Sequence, residues 1–330
     1  MELGSKFLLR SWYDPSWVTF LLIPVSFIYR VLIAVRYLLY RSGVFTVQNF
    51  DVPIVVIGNL TAGGTGKTPL LIHLARELIA NGYRPGIVSR GYGARGPYPV
   101  QVTPNTEVLR SGDEPLLIAR TLNVPVVVDP DRVNAVNEVL KTGAIDIVLS
   151  DDGLQHTRLG RQLEIVVIDG QRGFGNGLLL PAGPLREPSK RLNTVDVVVR
   201  HGRAPDCGES TMETNLGVAV NINDGRELPL EAFRAKKCVA ITAIANPARF
   251  FTQLSAEGLQ FERVEFVDHH YFSLDDLQRY QESTVLMTEK DAVKCQALAG
   301  LDWWQIRQNV RTGGEVVEIV LQAAEGGSVT

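Results

Sequence analysis

The chain has few cysteines and no excess of charge of either sign. Its 330 residues include three cysteines, Cys207, Cys238 and Cys295, which are odd in number and widely spaced. That spacing fits neither a disulfide framework nor a CxxC zinc site, and it predicts a reducing compartment. Lysine and arginine total 33 against 36 aspartates and glutamates. Because general nucleic-acid binders are usually basic, no nucleic-acid partner is expected.

Internal repeats, low-complexity runs and a biased composition are also lacking. The chain is 45% hydrophobic and 21% charged, which is the composition of a folded protein. It excludes a disordered chain, a collagen-like repeat and a multi-span membrane protein. At roughly 150 residues per domain, the length predicts about two domains.

The first 50 residues differ from the rest in composition. They contain 11 of the 25 aromatic residues and carry a net charge of +3, whereas the rest of the chain carries −6. They include an uncharged stretch from Trp17 to Tyr29, which is followed by Arg30 and Arg36. This stretch reaches the 20 or so residues of a spanning helix only if it includes Arg30.

Three interpretations of this N-terminal segment are open. A helix lying in the membrane interface is favoured, because tryptophan and tyrosine suit the headgroup zone and arginine can reach lipid phosphates. A single span and a helix buried on the protein's own core are the alternatives. No small-residue cleavage site follows the stretch, so a removable signal peptide is not expected.

A phosphate-binding loop is the clearest motif. The apolar run 53–58 leads into Asn59-Leu-Thr-Ala-Gly-Gly-Thr-Gly-Lys-Thr68 and then into an amphipathic helix, 69–80, that Asn81-Gly82 ends. Strand, glycine-rich loop and helix are the context that a P-loop requires, although Thr61 replaces the usual first glycine. Backbone N–H groups would bind phosphates, Lys67 would reach the β- and γ-phosphates, and Thr68 would hold Mg²⁺. The predicted ATP-binding residues are Thr61, Ala62, Gly63, Gly64, Thr65, Gly66, Lys67 and Thr68.

Two further strands are predicted to end in acidic residues. Residues 144–150 lead into Asp151 and Asp152, and residues 163–168 lead into Asp169. A P-loop enzyme needs such a residue to hold Mg²⁺, and hard cations prefer oxygen ligands. The paired carboxylates are the better candidates, so Asp169 is interpreted as a turn residue. The predicted metal ligands are Thr68, Asp151 and Asp152, with no choice between the two aspartates.

The alternation of strands and helices predicts the fold class. Strands at 53–58, 86–89, 124–128, 144–150, 163–168 and 195–200 alternate with helical stretches. This rhythm predicts an α/β, P-loop NTPase-like fold with a mostly parallel sheet and helices on both faces. After a linker-like segment near residue 205, strands at 216–222, 238–244 and 261–266 and a helix at 246–257 predict a smaller second α/β domain. The predicted division is a membrane-associated helical segment (1–50), a P-loop core domain (51–204) and a smaller C-terminal α/β domain (205–330).

Three other motifs admit ordinary structural interpretations. Asp113 precedes a helical run, 116–121, and is typical of an N-terminal helix cap. Arg186 and Glu187 lie in a Pro/Gly-rich loop and by default form a solvated ion pair. The pair His269-His270 follows a strand, but no third ligand lies at a zinc-like spacing.

A P-loop with an acidic strand end predicts phosphoryl transfer or NTP hydrolysis. A switch GTPase would show a guanine-reading motif, and Thr288-Glu-Lys-Asp291 is a poor match to it. A kinase that acts on a lipid accounts for the N-terminal segment, whereas a soluble metabolite kinase does not. The alternative is a membrane-recruited P-loop NTPase, a switch or chaperone that phosphorylates no lipid.

A set of motifs spread over essentially the whole chain carries a family resemblance. Besides the P-loop they are Leu22-Ile-Pro-Val-Ser26, Ser89-Arg-Gly-Tyr-Gly93, Gly112-Asp-Glu-Pro115, Asp131-Arg132, Asp151-Asp-Gly-Leu-Gln-His156, Leu180-Pro-Ala-Gly-Pro-Leu-Arg-Glu-Pro188, Asp268-His269 and Thr288-Glu-Lys-Asp-Ala-Val-Lys294. In this combination the sequence resembles the tetraacyldisaccharide 4'-kinases, the lipid A 4'-kinases of Gram-negative bacteria. Thr61 is usual in that family, and Leu154 stands where the family more often has phenylalanine.

The resemblance implies a reaction and its setting. The reaction is ATP-dependent phosphorylation of the 4'-hydroxyl of a tetraacylated glucosamine disaccharide 1-phosphate, which gives lipid IV-A in lipid A biosynthesis. The implied setting is the cytoplasmic face of the bacterial inner membrane, with Mg²⁺ as the metal and an active site between two α/β domains. The expected partners are the lipid substrate and the membrane surface, and the chain is expected to be a monomer.

The resemblance also implies roles for individual residues. Asp113 and His269 form a dyad that deprotonates the sugar hydroxyl, which replaces the helix-cap interpretation of Asp113. Arg186 stabilises charge on the transferring phosphoryl group. The predicted catalytic residues are Asp113, His269, Lys67, Asp152 and Arg186. The predicted substrate-binding residues are Asn59, Arg132, Gln155 and Glu187.

Overall fold

The computed structural model describes residues 10–14 and 16–326. Glu2 and Lys6, which contribute to the charge of the N-terminal segment, lie outside these residues. The chain forms two compact units. The first unit comprises residues 1–90, 131–213 and 312–330, and the second comprises residues 91–130 and 214–311.

A parallel sheet forms the centre of the first unit. Its strands are β1 (Ile54–Gly58), β2 (Pro85–Ser89), β5 (Ile147–Asp151), β6 (Leu163–Asp169), β7 (Val197–His201) and the first residues of β8 (Ser210–Asn221). Their order is β8-β7-β6-β1-β5-β2, and all neighbouring pairs are parallel. Every residue of β1, β5 and β6 is buried, as expected for a parallel sheet that is covered on both faces.

The helices of the first unit include the one that follows the P-loop. They are α1 (Trp17–Arg41), α2 (Lys67–Ala80), α5 (Arg132–Leu140) and α9 (Gly314–Ala324). Helix α2 begins two residues before the predicted start, because Gly66 caps it in a left-handed conformation, φ 102°. It ends before Asn81 and Gly82, as predicted, and Gly82 has a φ of +86°, which suits a helix C-terminus.

A second group of parallel strands forms the centre of the second unit. These are β10 (Cys238–Thr242), β11 (Phe261–Glu265), β12 (Thr284–Thr288) and β13 (Trp303–Thr312), in the order β11-β10-β12-β13. Successive residues of β10 contribute to two separate apolar clusters, Val239 and Ile241 to one and Cys238 and Ala240 to the other. This alternation shows that the sheet is covered on both faces.

The remaining elements of the second unit are short. The strands β3 (Val100–Val102) and β4 (Val126–Val128) pair antiparallel, as do β8 and β9 (Glu227–Leu228). The helices are α3 (Val108–Ser111), α4 (Asp113–Thr121), α6 (Pro247–Ala256), α7 (Leu274–Leu277) and α8 (Glu289–Cys295).

The α/β class and the mostly parallel sheet are confirmed. Several elements were not predicted, among them β3, β13 and α9, and α4 begins at Asp113 rather than near Leu116. The compact units are not contiguous in sequence, because α4 packs against α8 and α9 packs against α2. The functional division at residues 50 and 204 stays a prediction.

One side of helix α1 is polar and faces the rest of the first unit, and the other side is apolar and faces solvent. Ser26 is buried and its Oγ donates to the Leu179 carbonyl over 2.6 Å, while the Tyr29 hydroxyl donates to the Arg186 carbonyl over 3.1 Å. An 18-residue window of α1 has a mean hydropathy of 2.2 and is 11% buried, so by length and composition the helix can cross a membrane. The exposed apolar residues include Trp17, Phe20, Leu21, Phe27, Ile28, Leu32 and Leu38. A helix buried on the protein's own core is therefore not what the structure shows.

Candidate active site

The P-loop joins β1 to α2 in the conformation that its sequence predicts. Gly63 and Gly66 have φ values of +101° and +102°, a region that non-glycine residues rarely adopt. A Cβ atom at Gly66 would lie 2.5 Å from Nδ1 of His201. That nitrogen is also 2.9 Å from the Thr65 carbonyl oxygen. His201, the last residue of β7, therefore contacts and supports the P-loop. The backbone N–H groups at the start of α2 leave a site suited to phosphate.

The loop 180–188 pairs with the start of the P-loop as an additional extended segment. Thr61 forms an antiparallel bridge with Leu185, and the N–H of Arg186 donates to the Leu60 carbonyl over 2.6 Å. The N–H of Ala62 donates to the Pro184 carbonyl over 2.7 Å. This pairing fixes Arg186 beside the phosphate-binding backbone, which the sequence could not show.

Three predicted catalytic residues, Lys67, Asp152 and Arg186, form one charged cluster. Nη1 of Arg186 lies 3.0 and 2.9 Å from the two carboxylate oxygens of Asp152, and Nζ of Lys67 lies 3.5 Å from Oδ1. Burial raises the pKa of Asp152, but the charges of Lys67 and Arg186 outweigh it and hold the pKa well below its ordinary value. Asp152 is therefore ionised, and the cluster carries one net positive charge.

Gln155 connects this cluster to two predicted substrate-binding residues. Its Nε2 donates to Oε1 of Glu187 over 2.7 Å and to the Asn59 carbonyl over 3.2 Å. Gln155 and Glu187 are half-buried and so can still meet a ligand. The Asn59 side chain is buried and its Nδ2 donates to the Gly63 carbonyl over 3.1 Å, so its contact in the structure is with the P-loop itself.

Asp151 and Arg132 lie beneath the cluster rather than at its surface. Both are buried, and Nη2 of Arg132 donates to the backbone carbonyl of Asp151 over 3.2 Å. Asp152, by contrast, keeps 30% of its side chain exposed. The two neighbouring aspartates thus differ, since one carboxylate faces the interior and the other can meet a ligand.

Asp169 and Arg172 support the P-loop from the end of β6. The Asp169 carboxylate accepts from the N–H groups of Gln171 and Arg172 and from Nε of Arg172 over 3.0 Å. Arg172 also donates to the Gly64 carbonyl. The two backbone bonds agree with the turn interpretation of Asp169, and the Arg172 contact adds a supporting role that the sequence did not reveal.

The oxygen donors of the first unit fit Mg²⁺. Mg²⁺ at nucleotide sites takes one or two protein oxygens and completes its coordination with phosphates and water. The Thr68 hydroxyl at the start of α2 and the ionised carboxylate of Asp152 are donors of that kind. Across the described part of the chain, no group of three or more His, Cys, Asp or Glu side chains is placed to share a metal ion.

The predicted dyad of Asp113 and His269 forms in the second unit. Asp113 is the first residue of α4 and is buried, and His269 lies in the segment between β11 and α7. Nδ1 of His269 lies 2.9 Å from Oδ2 of Asp113. Because an ionised carboxylate only accepts, Nδ1 carries the hydrogen of this bond, and Nε2 lies on the opposite side of the ring.

The pKa values of the dyad shift in opposite directions. Burial raises the pKa of Asp113, but the Lys290 charge and the His269 hydrogen bond outweigh it and lower the pKa to about 2. Burial lowers the pKa of His269, but the hydrogen bond to Asp113 and the charges of Asp113 and Asp268 together outweigh burial and the Lys290 charge, so the pKa is raised above its ordinary value. The carboxylate is thus ionised at neutral pH and makes the imidazole more basic.

A buried ion pair holds the backbone next to His269. Oxygens of Asp291 accept from the hydroxyls of Thr242 and Thr288, and its Oδ1 lies 2.8 Å from Nζ of Lys294. Oδ1 also accepts from the N–H of Ala243, whose carbonyl in turn accepts from the N–H of His269 over 3.2 Å. The side chains of Thr288 and Asp291 therefore form hydrogen bonds and an ion pair inside the second unit. Side chains that are engaged in this way do not fit a guanine-reading role.

His270 differs from its neighbour in its partners. Its Nε2 lies 3.1 Å from Oδ2 of Asp276, and its ring stacks on Phe266 at 4.7 Å between centroids. These contacts are those of a packed structural histidine.

Asp152 and His269 share an unusual backbone conformation. Within residues 10–14 and 16–326 they are the two non-glycine residues with positive φ, 48° and 60°. Such conformations cost of order 1–3 kcal/mol and cluster at functional sites. Each compact unit thus holds one strained residue, and in each case it was a predicted catalytic residue.

A parallel α/β sheet, a P-loop and a lysine–arginine–aspartate cluster define the class, which is that of the P-loop phosphotransferases. The family model described as tetraacyldisaccharide-1-P 4'-kinase, LpxK, matches residues 18–325. The chain belongs to this tetraacyldisaccharide 4'-kinase family and is a kinase, as the sequence resemblance indicated.

Individual relatives agree with the family model. The tetraacyldisaccharide 4'-kinase of Nitrosococcus oceani is 45% identical over 97% of this chain and 96% of its own length. The enzyme of that name from Mannheimia succiniciproducens is 42% identical over 93% of this chain and 95% of its own length. A crystal structure of the "apo" form of LpxK from Aquifex aeolicus in complex with ATP superposes with a TM-score of 0.81 at 27% identity, covering 93% of this chain and 99% of that one.

Proposed function

We propose that this kinase uses two clusters of side chains, one in each unit, to phosphorylate the 4'-hydroxyl of a tetraacyldisaccharide 1-phosphate. The chain phosphorylates the lipid A precursor at the 4' position with ATP, which is the activity of its family. The observation that carries the residue-level proposal is the P-loop with Lys67 and Arg186 held on one carboxylate, that of Asp152.

The first cluster, which consists of Lys67, Asp152 and Arg186 beside the P-loop, acts on the phosphates of ATP. Backbone N–H groups of residues 61–68 bind the phosphates of ATP, and the Lys67 ammonium neutralises charge on the β- and γ-phosphates. The pairing of residues 184–186 with the start of the P-loop fixes the Arg186 guanidinium beside the loop. From there Arg186 stabilises the charge on the transferring phosphoryl group. Its bond to Asp152 keeps the guanidinium oriented when no phosphate is present.

The second cluster, which contains Asp113 and His269, accepts the proton of the 4'-hydroxyl. Nε2 of His269 takes this proton while Nδ1–H stays bonded to Asp113. The hydroxyl oxygen forms a bond to the γ-phosphorus, and the bond from that phosphorus to the bridging oxygen breaks, so ADP leaves.

Mg²⁺ would be held by Thr68 and Asp152, and when bound it supplies positive charge to the β- and γ-phosphate oxygens. Asp152 is preferred over Asp151 because its carboxylate is partly exposed whereas Asp151 is buried. Gln155 and Glu187 are proposed to contact the sugar. Asn59 and Arg132 would act indirectly, by holding the P-loop and the backbone of Asp151.

Helix α1 is proposed to bind the cytoplasmic face of the bacterial inner membrane. In a water-soluble protein the apolar side of a surface helix faces the core, whereas here Ser26 and Tyr29 face inward and large apolar side chains face out. Arg30 and Arg36 are exposed on the same helix and suit lipid phosphates. A membrane-bound monomer is the proposed form.

Transfer of label from γ-labelled ATP tests the reaction. The purified full-length protein is incubated with the disaccharide lipid in mixed micelles, and the product is examined for label at the 4' position. We expect label in the lipid at a rate that depends on both substrates. Release of labelled inorganic phosphate with an unlabelled lipid would favour the alternative, a membrane-recruited NTPase.

Flotation with anionic phospholipid vesicles tests the membrane role. The triple variant Phe20→Ser, Phe27→Ser and Leu38→Ser should bind at least about tenfold more weakly, because each buried apolar side chain contributes about 1.5–3 kcal/mol. The matched control changes Ile79, Leu274 and Leu301 to serine, since these leucine and isoleucine side chains are also exposed. Equal loss of binding in both triples would show that α1 is not the membrane-binding element.

A further inference from the structure

Lys290 is a nearly buried cation placed beside the proposed base. It is the second residue of α8, and its side chain is 19% exposed. Its Nζ lies 2.9 Å from Oε1 of Glu114, 3.8 Å from Oδ2 of Asp113 and 3.5 Å from Nε2 of His269. A cation in the first turn of a helix is opposed by the helix dipole, so its position is explained by these contacts and not by the helix.

The contacts of the His269 ring select one form of the imidazole. Nδ1 faces an ionised carboxylate, which only accepts, so Nδ1 must carry a hydrogen. Nε2 faces an ammonium, which only donates, so Nε2 must present a lone pair. Of these two neighbours, Asp113 promotes protonation of the ring, whereas Lys290 opposes a proton on Nε2 and so favours the neutral ring with its hydrogen on Nδ1, the one form that can accept a proton at Nε2.

A competing partner for Nε2 lies nearby. Oδ2 of Asp268 is 3.8 Å from Nε2, and it would stabilise a proton there. Lys290 counters this carboxylate, since its Nζ is 4.0 Å from Oδ1 of Asp268. Without this ammonium, His269 would lie between two carboxylates and would lose the neighbouring cation that opposes its protonation.

We propose that Lys290 is a positioning residue for the reaction, and that its ammonium keeps His269 in the neutral form that accepts the proton of the acceptor hydroxyl. The inference rests on the proposed role of His269 as the base. The titratable groups beside His269, or beside its partners Asp113 and Lys290, include Asp113 and Glu114 on α4, Lys290 and Lys294 on α8, and Asp268 and Tyr271 on its own segment. Tyr92 adds a ring whose centroid is 4.7 Å from that of His269.

Replacement of the ammonium by an apolar chain of similar length tests the proposal. In Lys290→Met the pKa of His269, measured by NMR on the histidine-labelled full-length protein, should rise by about 1–3 units, the usual effect of a charge at this distance. The acid limb of the kcat profile should move to higher pH by the same amount. Activity lost at pH 7 should return at pH 9, which loss of structure would not produce.

Three further variants sharpen the test. Lys290→Arg keeps the charge and should retain most of the wild-type profile. Adding Asp268→Asn to Lys290→Met removes the competing carboxylate and should bring the pKa of His269 part of the way back. Lys236→Met is the matched control, because Lys236 is an exposed lysine of the same unit paired with Asp302 at 3.5 Å; it should leave the pKa unchanged.

The outcomes separate this inference from the proposed function. An unchanged pKa of His269 in Lys290→Met, or in Lys290→Gln if the methionine variant does not fold, would overturn the role of Lys290. A raised pKa with an unmoved rate profile would instead show that His269 is not the base. Near-normal activity of His269→Ala would lead to the same conclusion about the base and would leave the NMR result standing.

Discussion

The two units hold clusters of opposite charge. In the first unit one carboxylate, Asp152, is bound by two cations, Lys67 and Arg186. In the second unit one cation, Lys290, lies among three carboxylates, those of Asp113, Glu114 and Asp268. The first arrangement leaves positive charge for an anionic ligand, and the second leaves negative charge around an imidazole.

The difference follows from what each half of the reaction needs. A transferring phosphoryl group is anionic and is stabilised by fixed cations. A histidine base must be basic enough to accept a proton, which nearby carboxylates favour, and yet neutral before the reaction, which a cation favours. Cations therefore outnumber carboxylates in the first cluster, and carboxylates outnumber cations in the second.

Removal of the first cluster's lysine should have a larger effect than removal of a carboxylate from the second cluster. Lys67→Ala is expected to lower kcat for lipid phosphorylation by about 10³-fold, because a charge aimed at the transferring phosphates is lost. Asp152 would then pair with Arg186 alone. Steady-state kinetics with the disaccharide lipid measures the change.

Lys141→Ala is the matched control for this variant. Lys141 lies in the same unit, is exposed and pairs with Glu138 at 2.9 Å, so its loss should leave kcat within about twofold, as for ordinary surface substitutions. Near-normal turnover of Lys67→Ala would mean that the P-loop lysine is misassigned.

Removal of a carboxylate from the second cluster should give a smaller effect with a different signature. The raised pKa of His269 means that the neutral base is lost as pH falls through a value above 6.5. Asp113→Asn removes the charge that raises it, so the acid limb of the kcat profile should move to lower pH. We expect kcat at its plateau to fall by about ten- to a hundredfold, which is less than the full acid–base effect of about 10²- to 10⁴-fold, because the base remains but loses its charged partner.

The direction of the pH shift is the sharper part of this prediction. Asp224→Asn provides the control, since Asp224 is an exposed carboxylate of the second unit with Arg226 at 4.0 Å. If the acid limb of the kcat profile stays in place in Asp113→Asn, or moves to higher pH, the Asp113 carboxylate does not raise the pKa of the catalytic base.

The first cluster was largely predictable from the sequence because its parts are local. Strand, glycine-rich loop, Lys67 and Thr68 are contiguous, and β-branched apolar runs identified the neighbouring strands. The position of Arg186 was not predictable from spacing, since it depends on the pairing of Thr61 with Leu185. The two units could not be separated in sequence either, because residues 91–130 join the second unit through helix–helix packing.

The second cluster is assembled from distant residues, and patterns alone did not reveal it. Asp113 and His269 are 156 positions apart, and without the family resemblance Asp113 was interpreted as a helix cap. Lys290 lies in a charged helix start that is typical of a solvated surface, although the structure nearly buries it. The positive φ values of Asp152 and His269 could not be predicted from the sequence, because aspartate and histidine occur in many backbone conformations.

The rate of lipid phosphorylation by His269→Ala at saturating ATP, with the affinity for ATP measured on the same preparation, tests the role of His269 as the base most directly. We expect kcat to fall by about 10²- to 10⁴-fold, as for loss of a general base, with ATP affinity unchanged because the phosphates are bound by the first unit. A variant that phosphorylates the lipid at the wild-type rate would contradict the division of the reaction between the two clusters.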